Sequence, residues 1–238
     1  MANILTIAER ELKSYFVSPI AYIITGLYAF FTGFIFYNAV VGSSQAQLTD
    51  TFGWMLVLAL IVAPALTMRL FADENRQGTI EMLMTAPLRD WQIVIGKYIA
   101  GLITFLFLLV PTLWYLVLLW RYGPPDWGMV ASGYLGVILV GAAFVGIGML
   151  TSSLTSNQFI AYIAGMIILL FLWVVNAPAQ ILGSSGVVGD LLTYLSLPAH
   201  FQDFFSGVID SEHVLFFISL AIVAIFITAR VVESRRWR

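Results

Sequence analysis

The sequence predicts an all-α integral membrane protein with six transmembrane helices, and three observations lead there. The chain is 61% apolar and 10% charged, with a mean hydropathy of +0.94. A soluble domain is about half apolar and about a quarter charged, so this chain has too few charges to coat a globule. Its apolar residues come in six runs, each near the ~20 helical residues that cross a hydrocarbon core of about 30 Å. The runs lack the alternation a β-barrel needs, and an open strand in lipid leaves its backbone unpaired, so each run is read as helix.

Residues 1–19 do not read as a signal peptide, because Glu9-Arg10-Glu11 interrupts the apolar stretch and no basic segment precedes it. Ile4, Leu5, Ala8, Leu12, Tyr15 and Phe16 share one helical face, with Glu9, Arg10 and Lys13 away from it. That pattern predicts an amphipathic helix lying in the membrane interface. It ends near Ser18-Pro19, since the residue before proline avoids the helical region. A plain extension of the first span is the alternative. The spans follow at roughly Ile20–Val41, Phe52–Phe71, Ile93–Trp120, Val130–Leu150, Gln158–Asn176 and Val214–Val232, the fifth being the shortest. The whole of 1–238 reads as a single membrane domain.

Orientation follows from lysine and arginine, which concentrate on the cytoplasmic side. An even number of crossings puts both termini on one side. That side collects Arg10, Lys13, Arg69, Arg76, Arg89, Lys97, Arg230, Arg235, Arg236 and Arg238, and the other only Arg121. Both termini are therefore expected in the cytoplasm, and residues 177–213 outside.

The connection between the second and third spans, residues 73–92, is the most informative. Gly78 breaks the preceding helix. Thr79 can cap a short new one, with Glu81 in its first turn favoured by the helix dipole. Ile80, Leu83 and Met84 stand at i, i+3, i+4 and make one apolar face, and Pro87 stops the helix. A two-turn amphipathic helix at the membrane surface needs a partner, either the membrane or another protein. For Glu74, Arg76, Glu81 and Arg89 the alternative is a solvated ionic loop.

These residues resemble the ABC-2 family of transporter permeases, whose pattern is an acidic stretch, Gly-Thr-x-Glu-x-Leu-x-x-x-Pro, and Gly-Lys opening the next span. It is met by Glu74, Gly78, Thr79, Glu81, Leu83, Pro87, Gly96 and Lys97. The amphipathic elbow, the six spans and the long outer loop before the last span fit the same family. The stretch from Tyr194 to Asp210 resembles the gliding-motility-associated GldF-like subfamily. The resemblance implies a dimer of permeases, with a second copy or a paralogue, seated on two copies of a separate ABC ATPase. Residues 78–86 would form the coupling helix that fits a groove in that ATPase, with Glu74, Gly78, Thr79, Ile80, Glu81, Leu83, Met84 and Pro87 carrying the contact. The loop Thr151–Asn157 would be a smaller second contact. It further implies a bacterial inner-membrane location, membrane lipid as surroundings, and an accessory extracytoplasmic protein as a further partner.

The chain contains no phosphate-cradling Gly-x-x-x-x-Gly-Lys-[Ser/Thr] loop. Gly96-Lys97-Tyr98 lacks the preceding glycine loop and the magnesium-binding hydroxyl. No cofactor is expected in this chain, and ATP and magnesium belong to the partner, so the chain is not read as an enzyme. It has no cysteine, and nothing in it suggests nucleic acid. The middles of the spans lack Asp, Glu, Lys and Arg, which argues against an ion-coupled transporter. A membrane scaffold without transport activity is the remaining alternative.

Three lesser features complete the reading. The outer segment 177–213 carries Leu191, Leu192, Leu195, Phe201, Phe204, Phe205, Val208 and Ile209, which two short re-entrant helices would bury. His200, Asp203, Asp210, Glu212 and His213 could supply a metal site, but a polar loop with helix caps is preferred and no metal is expected. The pairs Ser132/Gly136, Ala142/Gly146 and Ala161/Gly165 suit close helix packing. Tyr22, Thr25, Thr32, Tyr37, Thr104 and Thr112 either line a cargo path or satisfy themselves on the helix backbone, and the second is preferred.

Overall fold

The computed structural model describes residues 2–43, 48–79, 89–177 and 187–235, and the regular elements among them are all helical. α1 (Ala2–Val17) is separated by Ser18 from α2 (Pro19–Ser43). Pro19 can open α2 because the first N–H groups of a helix have no partner to lose. α3 (Thr49–Thr67) and α4 (Arg69–Gln77) make one rod interrupted at Met68, where the Ser152 hydroxyl enters the backbone ladder. α5 (Asp90–Leu109) passes through a 3₁₀ turn at Val110–Thr112 into α6 (Leu113–Tyr122).

Asp126 caps α7 (Trp127–Leu154), accepting from the N–H groups of Gly128 at 2.9 Å and Met129 at 3.3 Å. Asn157 caps α8 (Gln158–Val174) in the same way, from Phe159 at 2.9 Å and Ile160 at 3.4 Å. Two short helices follow, α9 (Val187–Tyr194) and α10 (Leu197–Phe205), then α11 (Ser211–Arg235).

Five of these rods are long and apolar enough to cross a membrane: Pro19–Gly42, Thr49–Gln77, Asp90–Tyr122, Trp127–Leu154 and Ser211–Ser234. They coincide with five of the six expected spans. The remaining one, α8, is helical and apolar but has 17 residues. At 1.5 Å per residue it reaches about 26 Å, short of a hydrocarbon core of about 30 Å.

α7 is the axis of the bundle, with α3, α8, α10 and α11 packed round it. Its small residues are what allow this. A Cβ on Gly133 would collide with the Phe52 ring, and one on Gly141 with the Phe105 ring. Both rings are fully buried, as are Phe144, Phe204 and Phe217. The expected small-residue pairs serve packing within the chain: Gly136 lies under Phe204, Gly146 against Ala221 and Ala224, and Gly165 against Pro64. The threonines expected to satisfy themselves do so. Thr25, Thr32 and Thr104 each donate to the carbonyl four residues back at 2.8 Å, and Thr112 to Leu109 at 2.7 Å. Tyr22 and Tyr37 are exposed on the flank of α2.

The predicted face of α1 holds for most of its residues: Ala8 is buried, Ile4, Leu12, Tyr15 and Phe16 are half-buried, and Glu9, Arg10 and Lys13 are exposed, while Ile7 joins the buried side and Leu5 is 64% exposed. Glu11, three residues from Ala8, also turns inward, toward the Lys97 ammonium. The outer apolar residues also divide. Phe201, Phe204 and Phe205 of α10 are buried in the bundle, while Leu191, Leu195, Val208 and Ile209 stay exposed. α10 wins its burial because Phe204 fits the space left by Gly136 and its carbonyl accepts from Ser132 Oγ at 2.7 Å.

Candidate functional site

One end of the bundle gathers α1, α4, the start of α5, the end of α7 and the end of α11. Their apolar residues Ile7, Leu70, Phe71, Ile93, Met149 and Val232 form a core of their own. Around it lies a cluster of charges that no local pattern announces. Lys97, two turns into α5, is 1% exposed, and an ammonium so buried is costly unless it is paired. Its Nζ lies 2.9 Å from Glu11 Oε1 of α1 and 2.9 Å from Glu74 Oε1 of α4, and 5.2 Å from the centre of the Phe71 ring. Arg10 covers the same two carboxylates at 3.1 Å each. Two cations and two anions thus join three helices, and the cluster has no net charge. Glu74 Oε2 has no hydrogen-bond partner among the described residues.

Gly96 makes the approach possible. A Cβ there would lie 2.8 Å from the Ile7 side chain and 3.1 Å from the Ile4 carbonyl, so only glycine lets α1 lie directly on α5. Tyr15, the next turn along α1, donates its hydroxyl to the Leu66 carbonyl. Burial, with the nearby Glu11 carboxylate, pushes the Tyr15 phenol up. A cavity of about 740 Å³ opens beside the cluster, lined by Arg10, Arg69, Asp73 and Glu74 and by the apolar Ile20 and Ile24.

The start of α8 and the end of α7 fasten α4 from the other side. Ser152 Oγ accepts from the N–H groups of Phe71 and Ala72 at 3.1 Å each and donates to the Met68 carbonyl at 2.8 Å. It therefore mends the backbone where Met68 interrupts the α3–α4 rod. Asn75 donates to the Thr155 carbonyl at 3.0 Å, and the Gln158 amide donates to Asp73. The expected loop 151–157 is helical as far as Leu154, and the end of α7 with the connection 155–157 is anchored beside α4.

The sequence-predicted site residues fall into two groups. Gly78 closes α4 in the left-handed conformation with φ of 70°, which glycine adopts without strain. Glu74 sits in the ionic cluster, and Thr79 lines the cavity. Ile80, Glu81, Leu83, Met84 and Pro87 lie outside the described residues. Beyond them α5 opens with the Gln92 side chain accepting from the Arg89 N–H at 3.1 Å. Sequence reasoning passed over Arg10, Glu11 and Ser152, and gave Lys97 no role beyond the motif. The one available signal was a lysine early in an apolar run, which needs buried carboxylates to be tolerated. Which carboxylates supply them is settled by packing between residues 86 and 23 positions apart.

The ABC-2 type transporter family profile matches residues 2–176. This chain belongs to the ABC-2 type transporter family. The match takes in α1 to α8 and both sides of the ionic cluster. The chain is also similar to the probable multidrug ABC transporter permease YbhR of Escherichia coli strain K12, at 32% identity over 164 residues, 69% of this chain and 41% of that protein. The YbhR of Escherichia coli O157:H7 matches with the same identity and coverage. The chain therefore spans well under half the length of the curated relatives it matches. As an ABC-2 family member with several apolar rods of spanning length, it is a multi-pass membrane protein. In this family member the Gly-Lys pair of the motif has a local physical meaning: Gly96 admits α1, and Lys97 holds it there.

Proposed function

We propose that this chain is the transmembrane permease subunit of an ATP-driven ABC exporter. It works as a dimer, with a second copy or a paralogue, and couples hydrolysis by two copies of a separate ATPase subunit to movement of a cargo across or out of the membrane. The observation that carries the reading is the tie between α4 and α5, the helices on either side of residues 80–88, through Glu74 and Lys97 to α1. A force applied to 80–88 by a docked ATPase would reach three helices together. The family match and the likeness to multidrug permeases support transport as the purpose of that linkage.

On this reading the segment 78–86 is the coupling helix, α1 lies in the cytoplasmic interface, and both ends of the chain are in the cytoplasm of a bacterial cell. α8 is the fifth of six spans, tolerated short by tilt-free packing and local thinning of the bilayer. α9 and α10 form a re-entrant pair on the outside. ATP and magnesium are bound by the partner alone. The GldF-like resemblance rests on residues 194–210, which lie beyond the family match, and sets the subfamily on this reading.

The test is Leu83→Asp. A carboxylate pressed into an apolar ATPase groove is left unpaired, at a cost on the order of several kcal/mol. The variant should insert and fold normally yet lose the ATPase on purification. Retention of the ATPase together with parental cargo-stimulated turnover would refute the coupling role.

A further inference from the structure

We propose that His200 and His213, at the end of the bundle opposite the ionic cluster, form a binding site for one proton that latches α10 to the start of α11. The rings stand in a hydrogen-bonded chain. His200 Nε2 is 2.7 Å from the Tyr194 carbonyl, His200 Nδ1 is 2.8 Å from His213 Nδ1, and His213 Nε2 is 2.7 Å from Asp203 Oδ2. The two ends of the chain, a carbonyl and a carboxylate, only accept. Each must be met by an N–H, and the contact between the two Nδ1 atoms needs one more hydrogen.

Three hydrogens on four ring nitrogens mean that one imidazole is charged. Two neutral rings bring only two hydrogens, so one contact sets lone pair against lone pair. Two charged rings bring four, so two N–H groups face each other across 2.8 Å. Only the singly protonated pair satisfies all three contacts.

The surroundings place the charge. Phe216 stacks on His200 with ring centres 3.9 Å apart, and the Tyr194 ring stands edge-on at 5.3 Å. Burial pushes the His200 imidazole down, so that ring is the neutral one, accepting at Nδ1. The proton then sits on His213 against Asp203, a residue exposed enough to pass it to water. Glu212 adds a negative field at His200, and Asp210 is occupied in accepting the Glu212 N–H at 2.9 Å. Of the other helices packed on α10, α7 and α8 carry no Asp, Glu, His, Lys or Arg, only Tyr134 and Tyr162, and α9 carries Asp190 and Tyr194. The remaining charged residues of α11, Arg230, Glu233 and Arg235, and those of α5 stand at the far end.

The pair therefore titrates in two steps, and the latch holds between them. As pH rises through the upper step the proton leaves and α10 loosens from α11. As pH falls through the lower step a second proton forces the rings apart. Because α10 also bears on α7 through Ser132 and Phe204, the state of this proton reaches the axis of the bundle.

The chain has only two histidines, so ¹⁵N-histidine NMR of the whole protein in nanodiscs reads both rings directly. The expected result is a plateau with one charged and one neutral ring, between two steps on either side of the ordinary histidine value of about 6.5. Asp203→Asn tests the counting, because a carboxamide can donate to a bare Nε2 and so satisfies two neutral rings. Its upper step should fall by at least about one pH unit, a tenfold loss of proton affinity, while Asp210→Asn leaves it in place. Both rings titrating together near 6.5 overturns the proposal, as does an upper step unmoved by Asp203→Asn. Micromolar zinc that perturbs both rings on the plateau, reversibly with chelator, would make this a metal site and overturn it too. If Asp203→Asn fails to fold, the parent titration still decides between one shared proton and two independent ones.

Discussion

Lys97 of α5 lies 2.9 Å from Glu74 of α4, so the helices that lead into and out of residues 80–88 are tied directly to each other. The same ammonium holds Glu11, which brings the first helix of the chain into the tie. Neither carboxylate could be so far from water without the cation, nor the cation without them. Three separately folded helices are thereby made into one body at the end of the bundle where the family motif lies.

Lys97→Met should be strongly destabilising. Removing one partner of a buried ionic set leaves uncompensated charge, at a cost of about 3–5 kcal/mol. The melting temperature of the purified protein, followed by size-exclusion chromatography after heating, should fall by many degrees. The double variant Lys97→Met/Glu74→Gln should lose less than the sum of the two single losses. Additive losses would mean that the two residues do not act on each other.

Gly96→Ala tests the seat of α1. In an isolated helix alanine is better than glycine by up to about 1 kcal/mol. Here the new methyl meets Ile7 at 2.8 Å, and overpacking of that kind costs about 1–3 kcal/mol. The variant should therefore melt lower than the parent, and Ile7→Ala in the same chain should recover part of the loss. A Gly96→Ala protein more stable than the parent would show that α1 does not rest on α5.

Ser152→Ala removes the hydroxyl that serves Phe71, Ala72 and Met68. Leaving buried backbone groups unsatisfied costs about 1–3 kcal/mol. Hydrogen exchange should rise at the amides of Phe71 and Ala72 more than elsewhere in α4. Ser153→Ala is a suitable comparison, and equal exchange in the two variants would count against the mending role.

Topology can be read from cysteine labelling, since the chain has no cysteine of its own. Val187→Cys, on the exposed side of α9, should react with an impermeant thiol reagent in intact cells. Ser234→Cys, near the end of α11, should react only after the membrane is opened. The opposite pattern would invert the orientation and refute the proposed docking of an ATPase at the end that carries Glu74 and Lys97.

Much of this molecule was legible from its residues in order. The apolar runs, the proline after Ser18 and the glycine at position 78 are local signals, and the helices follow them. Hydroxyls such as Thr25 and Thr104 could also be assigned, because their partners lie four residues away on the same helix. The family pattern spanning Glu74 to Lys97 was visible for the same reason: its meaning depends on spacing along the chain.

What sequence alone determined, then, is where the chain is helical, which rods are apolar enough for lipid, and which family it belongs to, since all three depend on composition and short-range spacing. Tertiary structure decided the rest. It turned Glu11 of α1 inward, because a buried ammonium needs carboxylates beside it. It set Ser152 under a helix break 84 residues earlier in the chain, and it brought His200 and His213 nose to nose across the turn between α10 and α11. These pairings depend on which helix faces lie against each other, and that is fixed by glycine-sized gaps and aromatic rings on different helices, not by any pattern within one.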